Sequence, residues 1–231
     1  MVFQRYLNGL AGLLFPPVCA ACRVPLADGE SIICAACWYH LPYTQFHKDP
    51  ANNSARQLWG RVPIKGITAF LYFHDFSRVQ QLVHQLKYRN RPDIGILMGQ
   101  KYGEILRQVQ PYNQADCIVP VPLYAAKLRR RGYNQSACFA HGLSRSMQKP
   151  VIEDGLRQFR PAPSQTRKSR YQRFENIRET IEVADSSQLS GKHILLVDDV
   201  LTTGATVEAC AGALLEDPSI SVSVVTLARA V

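Results

Sequence analysis

The sequence predicts an α/β fold, a parallel sheet covered by helices on both faces, with a small knuckle at the N-terminal end. Three observations predict it. Short unbroken apolar runs alternate with segments of helical periodicity, as in strands buried on both faces. One such run, His193 to Val197, leads directly into two acids, a Thr- and Gly-rich turn and a helical segment. Four of the seven cysteines fall between positions 19 and 37 as two Cys-x2-Cys pairs.

The paired cysteines come first in the chain. Cys19-x2-Cys22 and Cys34-x2-Cys37 are separated by 11 residues, among them the turn formers Pro25, Asp28 and Gly29. Each pair can turn two thiolates onto one ion, and two pairs complete a tetrahedral shell. So short a segment buries no core of its own, so a bound metal would supply its folding free energy. Two disulfides or a redox pair are the alternatives. A redox site needs no second copy, and disulfides are disfavoured without a signal peptide. Structural Zn²⁺ on Cys19, Cys22, Cys34 and Cys37 is expected, a closed site with no open position for catalysis. Cys117, Cys138 and Cys210 stand singly in apolar or helical surroundings and are expected as small core residues.

Met1 to Val18 has one Arg and a short apolar run, Leu10 to Phe15, but no Ala-x-Ala-like cleavage pattern. It is expected as a short helix on a cytoplasmic protein. No apolar stretch approaches the ~20 residues that span a bilayer. The expected division is residues 1–60, knuckle and linker, and residues 61–231, the α/β domain. The polar stretch Phe46 to Arg56 reads as a linker or exposed loop.

Strands are expected at Ile67 to Phe73, Asp116 to Val121, His193 to Val197 and Ser221 to Leu227. Helices are expected at Ser77 to Tyr88, Asp93 to Val109, Asn134 to Met147 and Gly204 to Leu215. Pro161 to Lys168 reads as a loop. At 231 residues and 46% hydrophobic content the chain can bury one sizeable core, and 19% charged residues of mixed sign argue against wholesale disorder. The net charge of +9 is concentrated: residues 121–180 hold 13 Lys or Arg against 4 Asp or Glu. A local positive field suits nucleic acid or a phosphorylated small molecule, and a solvated basic face is the bland alternative.

The stretch Ile194 to Thr206, ILLVDDVLTTGAT, carries the most chemistry. Its apolar residues bring a buried strand to the sheet edge where ligands of open α/β sheets bind. If the backbone turns there, Asp198 and Asp199 can both reach one ligand. Two carboxylates suit vicinal hydroxyls, directly or through Mg²⁺. The small residues of Thr202-Thr203-Gly204-Ala205-Thr206 let successive N–H groups point at one anion, and the following helix presents its positive end. The element therefore suits a sugar and a phosphate together. The dinucleotide-binding GxGxxG and the P-loop GxxxxGK[ST] are both absent.

This segment resembles the signature of type I phosphoribosyltransferases for 5-phosphoribosyl 1-diphosphate (PRPP). Over nearly its full length the chain resembles the ComF family, competence-associated proteins that join a four-Cys zinc motif to a phosphoribosyltransferase-like domain. The resemblance rests also on Leu86-Lys87-Tyr88, the run Ile118 to Leu123, Arg131-Gly132-Tyr133-Asn134-Gln135, and Gln165-Thr166 with Arg173 and Asn176. It implies that Asp198 and Asp199 bind the ribose hydroxyls, with Mg²⁺, and that Leu201, Thr202, Thr203, Gly204, Ala205 and Thr206 hold the 5-phosphate. It implies that Val121 and Pro122, with Leu123, approach the pyrophosphate. Lys127, Arg129, Arg130 and Arg131 lie close by to neutralise that charge. Gln165 to Asn176 resembles a mobile hood bearing Arg167, Lys168, Arg170 and Arg173.

Lys87, at a helix end, is read either as a helix-dipole partner or as a site residue. Tyr133 and Tyr171 are read as packing residues rather than base-stacking ones. Thr202 stands where purine-salvage members often carry an acid, which argues against a hypoxanthine- or guanine-type acceptor. The implied activity is transfer of phosphoribosyl from PRPP to an unknown acceptor in the setting of DNA uptake. The alternatives are a non-catalytic factor associated with single-stranded DNA or DNA-uptake proteins, and a PRPP sensor.

Overall fold

The computed structural model describes residues 16–159 and 180–231. The main sheet contains four parallel strands, β1 (Gly66–Phe73), β2 (Cys117–Pro120), β5 (His193–Leu201) and β6 (Ser221–Ala230), in the order β1-β6-β5-β2. A short antiparallel pair, β3 (Leu156–Gln158) with β4 (Ile181–Val183), forms a second sheet. The helices are α1 (Ala35–His40), α2 (Asn53–Leu58), α3 (Arg78–Tyr88), α4 (Pro92–Leu106), α5 (Ala125–Arg131), α6 (Gln135–Met147) and α7 (Ala205–Leu214).

Alternation along β5 sorts the core into two layers. Leu195 and Val197 join the cluster built with α3, α4 and α6, and Ile194 and Leu196 join the one built with α2 and α7. Beyond the acids the alternation shifts phase, with Val200 against the first cluster and Leu201 in the second. The strand thus continues through Leu201 rather than ending at Val197, and it is irregular where the acids sit.

Local signals set the helix ends. Ser77 Oγ accepts from the Gln80 N–H at 3.1 Å and starts α3, and Pro92 opens α4. Asn134 caps α6 by accepting from the Ser136 N–H at 3.0 Å, while its own amide donates to the Val121 carbonyl at 2.9 Å. Helices α4 and α6 cross on glycines. A Cβ on Gly99 would lie 2.2 Å from the Phe139 carbonyl oxygen, and one on Gly142 would lie 2.1 Å from that of Ile96. This close crossing fixes the N-terminal end of α6 beside β5.

The knuckle packs into the larger cluster. Cys19, Cys34 and Cys37 are buried with Val79, Leu82 and Val83 of α3, and the Gln85 amide donates to the Ala20 carbonyl. The stretch from Phe46 to Arg56, expected as a linker or exposed loop, instead forms an ordered strap along β1. Phe46 is buried, and Asn52 both caps α2 and donates to the Ile67 carbonyl at 2.8 Å. Asn52 thus spends its amide on backbone groups rather than on water, while Lys48, Asp49, Asn53 and Arg56 stay exposed. Expectations for Met1 to Phe15 and for Pro161 to Lys168 lie outside the described residues.

Candidate functional site

β2 ends at Pro120, paired with Val197, so β5 outruns its neighbour from Asp198 onward. The edge it leaves open is flanked by α3, α5 and the start of α6. A cavity of about 620 Å³ opens there, lined by Lys87, Val121, Pro122, Leu123, Lys127, Arg131, Asn134, Gln135, Ser136, Asp198, Asp199, Thr202 and Thr206, among others.

The acid pair is held from the helices. Lys87 Nζ lies 3.0 Å from Asp199 Oδ2, and the Gln135 amide donates to the same oxygen at 3.0 Å. Ser136 Oγ donates to Asp198 Oδ1 at 3.0 Å, and that oxygen also accepts from the Asp199 N–H at 2.8 Å. Burial, followed by the neighbouring Asp199 carboxylate, pushes the Asp198 carboxyl up to about 7, against the pull of the Asp199 N–H, Lys87 and Ser136. Asp198 therefore exchanges its proton near neutral pH.

The loop after β5 turns at Gly204, whose φ of +80° suits glycine, and α7 begins immediately behind it. Thr202 and Thr206 face the cavity. Leu201 and Ala205 are buried in the core, Gly204 makes the turn, and Thr203 Oγ1 sits 3.5 Å from the Ala205 N–H as acceptor. Within α5, Lys127 and Arg131 line the cavity, whereas Arg129 and Arg130 are exposed and outside its lining. Arg131 also stacks its guanidinium 5.3 Å from the Tyr88 ring centre. Arg167, Lys168, Arg170, Tyr171 and Arg173 lie outside the described residues. Tyr133 spends its hydroxyl on the Leu86 carbonyl and stands apart from this cavity.

Three residues that hold the site had no assigned role in the sequence reading: Gln135 and Ser136 on the carboxylates, and Gln57, whose amide donates to the Thr202 carbonyl at 2.8 Å. Gln135 belongs to the Arg131–Gln135 motif, which was its only signal. Ser136 and Gln57 carry none.

The second site is the knuckle. The four Sγ atoms of Cys19, Cys22, Cys34 and Cys37 lie within 4.8 Å of one another, and all are free thiols. Cys22 and Cys34 are 3.8 Å apart, too far for a disulfide and close to the ~3.8 Å edge of a tetrahedron with Zn–S near 2.3 Å. Cys19 Sγ accepts from the N–H groups of Ala21 and Cys34, each at 3.4 Å, which favours its thiolate. The donor set fits a metal ion.

Residues 134–230 match the phosphoribosyl transferase domain family. The chain is 30% identical to the DNA utilization protein YhgH of Escherichia coli, over 94% of its own length and 99% of that protein. It is 26% identical to competence protein F of Haemophilus influenzae, over 81% of this chain and 86% of the other. The chain belongs to the ComF family. Among solved structures it is similar to the glutamine PRPP amidotransferase of Bacillus subtilis at 21% identity, over 62% of this chain and 30% of that one, with a TM-score of 0.41. The family domain covers the acids, the loop, α6 and α7. Lys87, the basic face of α5, the strap and the knuckle all come from the chain before it. No helix among the described residues is long and apolar enough to cross a membrane.

Proposed function

We propose that the cleft of this ComF-family chain binds PRPP, or another ribose 5-phosphate ligand, and transfers the phosphoribosyl group to an acceptor still to be identified. One observation carries the proposal. The acid pair and Thr202 and Thr206, at the two ends of the loop, share a single cavity with the cations Lys87, Lys127 and Arg131. That arrangement would set, side by side, acceptors for sugar hydroxyls, a glycine turn at a helix N-terminus for a phosphate and positive charge for a pyrophosphate.

In this reading the 5-phosphate sits in the loop at the start of α7, the ribose hydroxyls donate to Asp198 and Asp199, and the pyrophosphate lies toward Lys127, Arg131 and the Val121–Pro122 turn. Bond breaking at C1 leaves positive charge on the ribose ring and negative charge on the departing pyrophosphate. The carboxylates face the first and the basic residues the second, so no protein nucleophile is required. The hydrogen bonds described leave one oxygen of each carboxylate uncommitted, a hard-oxygen set that suits Mg²⁺. Mg²⁺, when bound, would supply charge neutralisation at the pyrophosphate. Zn²⁺ at the knuckle has a structural role.

A second reading is favoured by one feature. Arg129 and Arg130 are exposed on α5, outside the cavity, beside a cleft whose relatives are named for DNA utilization and competence. Those two residues suit a phosphodiester backbone, so single-stranded DNA or a DNA-uptake protein would meet the chain there, and its setting is the cytoplasmic side of DNA uptake. PRPP titration with and without Mg²⁺, followed by thermal unfolding, tests the first reading. Release of pyrophosphate across a panel of bases and amines separates transfer from sensing. The second reading predicts DNA binding that weakens with salt and with charge reversal at Arg129 and Arg130.

A further inference from the structure

A phosphate cradle built from main-chain N–H groups works only if the neighbouring carbonyls are kept turned away from the anion. The Thr202 carbonyl opens the loop here. It accepts a hydrogen bond from Gln57 Nε2 at 2.8 Å, across 145 positions of sequence. In a planar trans peptide the carbonyl of Thr202 and the N–H of Thr203 point in opposite directions. A Gln57 that draws the carbonyl toward α2 therefore turns the Thr203 N–H away from α2.

The Gln57 amide is itself oriented. Its Oε1 accepts from Arg229 Nη1 near the end of β6, and a guanidinium only donates. The oxygen must face Arg229, which leaves the NH₂ facing Thr202. Arg229 is the β6 partner of Leu201 in the sheet register, so the anchor is the strand next to the one that launches the loop. Two further contacts tie the same segment to the turn. A Cβ added to Gly204 would meet Leu58 Cδ2 at 3.0 Å, so α2 packs directly under the glycine. Arg61 Nη1 lies 2.9 Å from Glu208 Oε2 in the first turn of α7.

We infer that Gln57 is a positioning residue for the phosphate loop, acting from a strap that lies outside the phosphoribosyl transferase domain proper. It orients the peptide between Thr202 and Thr203 while anchored on Arg229. This rests on the reading of Thr202–Thr206 as the phosphate cradle, but the brace itself is measurable without any ligand.

Two variants separate the contacts. Gln57→Glu keeps the partner of Arg229 and replaces the donor to Thr202 by an acceptor. Gln57→Met removes both bonds at similar volume. Amide hydrogen exchange over 202–206 is measured in the full-length, metal-loaded protein, with ribose 5-phosphate affinity by calorimetry. Both variants are expected to exchange faster at Thr203 to Thr206 and to bind ribose 5-phosphate about 5- to 10-fold more weakly. Thermal midpoints should stay within about 2–4 °C of wild type. A purely structural role would lower the midpoint without a change confined to the loop. Wild-type exchange rates over the loop in both variants would overturn the brace, whether or not the ligand binds. Faster loop exchange in a protein that binds no ribose 5-phosphate would keep the brace and overturn the reading of the cleft.

Discussion

The knuckle draws all four of its ligand atoms from residues 19–37, whereas the cleft gathers its groups from five separated stretches between Lys87 and Thr206, with a brace at Gln57. The knuckle has little core of its own and would draw stability from a metal ion on its four thiols, yet it also docks on α3 through Gln85. The cleft depends on long-range packing, above all the glycine crossing of α4 and α6 that seats Gln135 and Ser136 over the acids. The difference is between a site specified by spacing and a site specified by a fold. Helix α3 joins the two, since Gln85 holds the knuckle and Lys87, two residues on, reaches Asp199.

The largest effect should come from breaking the knuckle. Stripping the metal, or Cys22→Ser, is expected to lower the thermal midpoint by about 10 °C or more, because metal binding is folding free energy for such a segment. A zinc-free protein with an unchanged midpoint would refute a metal role. The crossing that builds the cleft comes next. Gly142→Ala places a methyl where the Ile96 carbonyl already stands and should cost about 3 kcal/mol, read by denaturant unfolding, with weaker ligand binding as α6 shifts.

A pH series sharpens the contrast further. Asp198, ordinarily near 3.9 in an unfolded chain, is raised to about 7 in the folded protein by burial and by Asp199. The folded state therefore holds that proton more tightly. Its stabilisation is complete below the ordinary value and is lost as pH rises through about 7. The ligand-free protein should lose stability between about pH 4 and pH 7 and level off above it, and Asp198→Asn should flatten the slope. A wild-type profile in the Asn variant would show that the slope belongs to another group. The smallest effect is expected from Lys87→Met. It removes a cation that favours the ionised pair, so the Asp198 titration, followed by carboxyl infrared bands or NMR, should move higher still.

Much of the architecture was legible because apolar periodicity reports burial directly. The strands Gly66–Phe73 and Ser221–Ala230, and the helices on α3, α4, α6 and α7, fall within a few residues of expectation. The strap was not legible. Lys48-Asp49-Pro50 and Asn52-Asn53-Ser54 look like a solvated loop until Asn52 is seen bonding three backbone carbonyls. The extent of β5 was missed because Asp198 and Asp199 are poor strand formers, held in line by pairing with β6. In the site, the acids and the loop were legible as a contiguous run. Lys127 and Arg131, four apart, share the helix face that lines the cavity, while Arg129 and Arg130 do not. That distinction follows from helical spacing and was available to the eye. Gln57, Gln135 and Ser136 were not, since an amide or hydroxyl reveals its role only through the partner that the fold brings to it.

Everything proposed for the cleft turns on whether the acid pair and the loop together hold a ribose 5-phosphate. Thermal unfolding of the metal-loaded protein with increasing PRPP and Mg²⁺ tests it most directly. The expected result is a saturable rise in midpoint, worth ~2.7 kcal/mol at 100 times the dissociation constant, that Asp199→Asn abolishes without loss of fold. No rise in the wild-type protein, or an equal rise in Asp199→Asn, would contradict it.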